Sequence, residues 1–261
     1  MKSLNIFVKK LRNIKSFKDL LIKIGNKINY MRRNGTFAIN NWIVSIIYGK
    51  VAPYDVFHTS LEDVVEIKKI LNSTKEIKLS NNPSKGKVSN QLDQKLYDFM
   101  NNEQTWFEIK KNPSFDNYFK KIKPFIKSYL KSPFLIVHLN AWKTKPNMKR
   151  YFDSDGNQRG PNRLHNDGYP PGHYKCMIYL QPLDSFSGKF QFEEKIFESE
   201  KAGYSILFNN NLEHQSITGS SNYRYCLELT LMRTVIEVDM LKCYEGTADD
   251  KWLSHLYRAY I

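Results

Sequence analysis

The sequence predicts an α+β chain with a mainly β core: an antiparallel jelly-roll barrel over residues 131–240, braced by N-terminal helices. Three observations predict it. After Pro133 the chain turns to short runs at period two, rich in branched and aromatic residues. Turn signals separate those runs, with no helical stretch between them. Before Pro133, apolar residues recur instead at steps of three and four, the spacing of one helix face.

The expected strands are residues 134–142, 163–167, 174–181, 189–192, 204–208 and 223–231. Asp155-Gly156-Asn157, Tyr169-Pro170-Pro171-Gly172, Ser187-Gly188 and Thr218-Gly219-Ser220 are the turns between them. Many short strands in series, without alternating helices, argue for an antiparallel sandwich or barrel. Ahead of them, residues 3–29 read as a basic amphipathic helix through Leu4, Phe7, Leu11, Ile14, Phe17, Leu21, Ile24 and Ile28. Residues 60–72 and 90–130 read as mostly helical, with a polar linker over 80–90 holding Pro83 and Gly86. A short helix is expected at 249–260. The divisions are therefore 1–55, a basic helical segment; 56–130, a helical bracing region; 131–240, the barrel; and 241–261, a helical tail.

Composition narrows the function. With 261 residues, 41% of them hydrophobic and 14% aromatic, the chain can bury a sizeable core, which excludes a disordered protein. Cys176, Cys226 and Cys243 show neither disulfide nor zinc-finger spacing, so a reducing cytoplasm is the expected compartment. The apolar stretch 39–48 is too short to span a bilayer. Lys9, Lys10, Arg12, Lys15 and Lys18 break up what a secretory signal would need as an apolar run. The net charge is +14, and the first fifty residues carry eleven Lys or Arg against one acid, Asp19. Such a segment is drawn to acidic surfaces, an anionic membrane ahead of nucleic acid, although a Lys-rich solvated face has the same composition.

The chemistry lies in the barrel. In a strand, residues two apart project to one side, so His165 and Asp167 make a two-pronged clamp while Asn166 faces away. Imidazole nitrogen plus carboxylate oxygen suits ferrous iron, and a second histidine completes a three-sided ligand set with open positions. His214, beyond the strand 204–208, is the candidate. Ten residues on, Arg224 shares a strand face with Cys226, Glu228 and Thr230, opposite Leu227, Leu229 and Leu231. A guanidinium on that polar face offers a fork for a carboxylate.

The strings RLHNDGYPPGHYKCMIYLQPLD, SGKFQF and AGYSILFNNNLEHQSITGSSNYRYCLELTL resemble the iron(II)- and 2-oxoglutarate-dependent dioxygenase superfamily, in its phytanoyl-CoA dioxygenase-like and prolyl hydroxylase-like branches. The matching places are His165 and Asp167, Gly188, Gly203 and Phe208, His214 and Arg224, over roughly a hundred residues; the N-terminal half is not covered. The resemblance implies a double-stranded β-helix. It also implies Fe(II) held by His165, Asp167 and His214, with 2-oxoglutarate and O2 as cosubstrates. Arg224 would hold the distal carboxylate of 2-oxoglutarate, and succinate and carbon dioxide would leave as the substrate is hydroxylated. Asp167 stands where related halogenases lack a carboxylate, which favours hydroxylation.

Other residues have two readings each. Lys175, on the strand after the clamp, is an alternative to Arg224 for the cosubstrate. Tyr179, on the same face, is either a hydrogen-bond donor to it or a core tyrosine. Asn140 and Trp142 share a face with His138 and would line the substrate pocket, His138 reading better as structural. The connection 143–163 bears Lys143, Lys145, Lys149, Arg150, Arg159 and Arg163 and runs into the clamp. Its charge points to an anionic small-molecule, lipid-linked or saccharide-linked substrate, or else to plain solvation. The segment 153–157 reads as a polar turn rather than a calcium loop, for want of a glutamate at the required distance. Zinc-peptidase, phosphate-loop and nucleophile-elbow motifs are absent. The rival functional class is a noncatalytic barrel that binds a ligand, or a peripheral membrane module carried by residues 1–30.

Overall fold

The structure is a computed structural model that describes residues 35, 37–79, 91–109, 113–167 and 169–237. The expected helices at 3–29 and 249–260 and the linker at 80–90 lie outside the described residues. A helix, α1, occupies 37–48. Then come β1 (Tyr54–His58), α2 (Leu61–Ser73), β2 (Glu76–Ile77), α3 (Gln91–Glu103), β3 (Gln104–Phe107) and α4 (Pro113–Leu130). The rest is strand: β4 (Phe134–Thr144), β5 (Tyr151–Phe152), β6 (Gln158–Arg159), β7 (His173–Tyr179), β8 (Gly188–Phe192), β9 (Lys195–Phe197), β10 (Tyr204–Asn209), β11 (His214–Thr218) and β12 (Arg224–Arg233).

Two antiparallel sheets face each other. The large one runs β1-β10-β7-β12-β4-β3-β2 and the small one β11-β8-β9. The chain alternates between them, β7 to β8 and β9 to β10, then β11 to β12, which is the winding of a double-stranded β-helix jelly roll. Strand alternation sorts the side chains into two cores. Cys176 and Ile178 of β7 and Leu227, Leu229 and Leu231 of β12 face outward, against Val64, Ile67 and Leu71 of α2 and Phe119, Ile122 and Ile126 of α4. Met177, Tyr179 and Cys226 face inward and meet Phe190, Phe192 and Phe208 between the sheets. Because β7 and β12 are covered on both sides, their residues are buried almost throughout.

The structure departs from the expected elements in two informative places. The helical reading of 90–130 is interrupted by β3, whose Thr105, Trp106 and Phe107 are the residue types that favour strands. With β1 and β2, β3 widens the large sheet using residues from the N-terminal half. The expected strand at 163–167 is instead irregular chain joined to β11 by one bridge, His165 to His214. Pro161 and the Pro170-Pro171 pair bound it, and proline cannot donate to a ladder.

Candidate metal centre

That single bridge builds the site. His165 N–H donates to His214 O at 3.0 Å and His214 N–H to His165 O at 2.8 Å, so the two imidazoles sit side by side with ring centroids 4.7 Å apart. Asp167 N–H donates to Asn210 O at 3.2 Å, bringing its carboxylate round to the same side. His165 Nε2 is 3.8 Å from Asp167 Oδ1, and His214 Nε2 is 3.6 Å from Asp167 Oδ2. Ligand atoms from all three residues lie within 4.8 Å of one another. The clamp reaches this geometry through pairing with β11, whose first residue is His214.

The donor chemistry fits a divalent ion. His165 Nδ1 lies 2.7 Å from Arg163 O and His214 Nδ1 lies 3.0 Å from Leu212 O. A proton on each Nδ1 leaves each Nε2 lone pair directed at the shared space. Burial, followed by the nearby Lys175 charge, pushes the His214 pKa down to about 4, and burial lowers that of His165. Burial alone would raise Asp167, but Lys175 and His214 hold it at about 2. Two neutral imidazoles and one carboxylate are therefore ready at neutral pH, a ligand set suited to Fe(II). Phe208 and Phe190 pack against the His214 ring at 4.8 and 5.9 Å and fix its plane.

Lys175 is less simple than its sequence position suggested. Its ammonium touches Asp167 Oδ2 and lies 3.0 Å from Glu228 Oε2. Asn140 Nδ2 donates to Glu228 Oε1 at 3.0 Å, across the β4–β12 pair. Burial would lower the lysine pKa, but Glu228 and Asp167 raise it. Lys175 is thus a buried, permanently charged cation committed to two carboxylates. Glu228 was missed as a site residue; its signal was a lone acid on the inward face of an apolar strand.

A cavity of ≈ 290 Å³ opens on the triad. Of the residues singled out in the sequence, His165, Asp167, His214, Lys175, Trp142 and Arg163 line it; Asn140, Tyr179 and Arg224 do not. Asn140 acts through Glu228. Arg224 lies deeper, where the sheets meet, with Nη1 donating to Ile217 O at 3.1 Å and to Lys189 O at 3.4 Å. Gly188 makes room for it: a Cβ there would stand 3.0 Å from Arg224 Nη1 and 2.5 Å from Ile217 O. Among the described residues the Tyr179 hydroxyl is buried without a hydrogen-bond partner, and Arg224 is near enough to act against the rise in its pKa that burial causes. A buried guanidinium beside a buried, unsatisfied hydroxyl suits a carboxylate.

Sequence reasoning missed the wall contributed by the N-terminal half: Leu96 and Met100 of α3, and Gln104 and Trp106 of β3. Trp106 stacks on Trp142 with centroids 4.8 Å apart. The basic connection before the clamp mostly turns elsewhere. Lys143 pairs with Glu76 at 2.6 Å and Arg159 with Asp153 at 2.8 Å, while Lys145, Lys149 and Arg150 are exposed. The Asp153 carboxylate also accepts from Asp155 N and Asn157 N, so 153–157 is the expected polar turn.

No protein-family model and no curated protein matches the chain. Solved structures of similar fold include a viral collagen prolyl hydroxylase from Paramecium Bursaria Chlorella virus-1 in a 2OG complex. It is 14% identical, over 70% of this chain and 97% of that one, with a TM-score of 0.42. HygX from Streptomyces hygroscopicus, with nickel, 2-oxoglutarate and hygromycin B bound, is 11% identical over 74% of this chain and 87% of its own, with a TM-score of 0.47. A Pseudomonas putida prolyl-4-hydroxylase is 10% identical over 74% and 98%, with a TM-score of 0.42. The jelly roll itself rests on the strand pairing of this chain.

Proposed function

We propose that this chain is an Fe(II)- and 2-oxoglutarate-dependent oxygenase that hydroxylates an organic substrate with release of succinate and carbon dioxide. The observation that carries the reading is the convergence of His165, Asp167 and His214 within 4.8 Å at the wall of a jelly-roll cavity. Iron bound there supplies the activation of O2 against 2-oxoglutarate. The protein's part is binding and orientation. The two Nδ1 anchors hold the imidazoles neutral and aimed. Asp167 supplies the negative charge.

Arg224 is the better candidate for the distal carboxylate of 2-oxoglutarate, with Tyr179 donating beside it, because Lys175 is already committed to Asp167 and Glu228. Leu96, Met100, Trp106, Trp142 and Phe190 support a substrate with an apolar body and exclude water from it. Arg163, the one basic residue of the 143–163 connection that lines the cavity, supports an anionic group on that substrate. Cys176 and Cys226, buried free thiols, support a reducing cytoplasm. Among the described residues no helix is long and apolar enough to cross a membrane.

The test is succinate formation from 2-oxoglutarate, dependent on iron and stimulated by fractions of cell extract. His214→Ala is expected to abolish it. Full turnover by that variant would overturn the reading.

A further inference from the structure

Helix α1 turns a mixed face to the protein, where Phe37 and Val44 are buried beside Asn40, and a wholly apolar face outward. A surface helix ordinarily turns its apolar stripe to the core and its polar residues to water. Here several polar residues face the protein. Asn40 Nδ2 donates to Arg233 O at 3.0 Å, and Tyr48 hydroxyl to Val235 O at 2.8 Å. Arg233, itself buried, donates to Ser45 Oγ at 3.3 Å and to Gly49 O at 2.9 Å. Gly49, at φ +80, closes the helix with its N–H on Ser45 O at 3.0 Å. Ile39, Trp42, Ile43, Ile46 and Ile47 point the other way, with 59, 64, 36, 64 and 54% of their surface exposed. Their spacing of three and four residues aligns them in one stripe. No charged residue stands within 37–48 to break it.

Five large apolar side chains on one outward face are far more than scattered surface hydrophobics, and such a face has an apolar partner. The surrounding charge selects which one. The first fifty residues carry a net +10, Arg32 and Arg33 precede the helix, and exposed Lys50 follows it. Exposed Lys131 lies at the same end, next to Ser132, whose hydroxyl accepts from Arg233 Nε at 3.1 Å. An apolar stripe with a tryptophan, framed by cations, matches the interface of an anionic bilayer, with hydrocarbon beneath and phosphate above.

We propose that the outward face of α1 inserts in the plane of an anionic membrane and holds the protein at that surface. Phe37 packs on His173 at 5.1 Å and Asn41 abuts Gly172, so the anchoring helix rests on the turn that follows Asp167. The proposal does not depend on the assigned reaction, and its test uses no turnover.

The full chain is sedimented with phosphatidylcholine vesicles, with and without phosphatidylglycerol. Wild type is expected to bind the anionic vesicles, and Trp42→Glu/Ile46→Glu to bind them roughly tenfold less or weaker still, with an unchanged melting temperature. Three results would overturn the proposal. Wild type staying in the supernatant is the first. Equal binding by the variant is the second, since charge alone would then suffice. A melting temperature lowered by the substitutions, or a wild-type dimer that they split, is the third, because another segment of this chain or a second copy would then cover the face.

Discussion

Taking the metal-free protein from pH 7 to pH 5 is expected to remove about 2 kcal/mol of folding stability through His214 alone. Burial first, and then the Lys175 charge, hold that imidazole at a pKa of about 4, against about 6.5 in an unfolded chain. With the folded pKa the lower of the two, the unfolded chain takes up the proton first as pH falls. The penalty is small at pH 7, grows below pH 6.5 and levels off near pH 4, at roughly 3 kcal/mol. His165, lowered by burial, acts in the same direction. Asp167, held at about 2, works in a lower window: its contribution is present above the unfolded carboxylate pKa and is lost as pH falls towards 2. The assay is urea unfolding of chelator-treated wild type and His214→Gln at the two pH values. Wild type should lose about 2 kcal/mol more than the variant. Equal losses would refute a neutral, buried His214. Added Mn(II) should still stabilise wild type at pH 5, because a proton does not yet compete for Nε2.

Lys175→Met leaves Asp167 and Glu228 buried without their shared cation. It should destabilise the metal-free protein by about 3 kcal/mol in urea unfolding and tighten Mn(II) binding by calorimetry; weaker binding would show that Lys175 assists the metal instead of competing for Asp167. Gly188→Ala places a Cβ 2.5 Å from Ile217 O at a φ of +98, so a loss of about 2 kcal/mol or more is expected in thermal unfolding. Arg233→Leu removes the cation that joins Ser45 and Gly49, at the end of α1, to Ser132. A loss of about 3 kcal/mol is expected, with faster hydrogen exchange confined to α1 and the end of β12.

The inward and outward faces of β7 and β12 were legible because a period of two is a geometric property of the strand. Alternation in Tyr225–Leu231 therefore set the leucines on one face and Cys226, Glu228 and Thr230 on the other before any partner was known, and the structure packs the leucines against the helices. Alternation gives a side, not a depth. Lys175 and Tyr179 share a face of β7, yet one touches Asp167 and lines the cavity while the other lies deeper, outside its lining. Arg224 and Glu228 divide in the same way on β12. Depth depends on where the two sheets converge, a long-range property with no local signal. The clamp shows the converse. His165 and Asp167 were read as strand neighbours, but prolines on both sides prevent a strand, and pairing with His214 restores the geometry that the motif requires. α1 was noticed only as an apolar run too short to span a bilayer, because a run records composition and not direction. Arg233, 193 residues from Asn40 in sequence, decides which side of that helix is docked. Docking one side through hydrogen bonds from Asn40 and Tyr48 leaves the opposite, apolar side exposed among the described residues, so the orientation of that face is set by contacts nearly two hundred residues away in sequence.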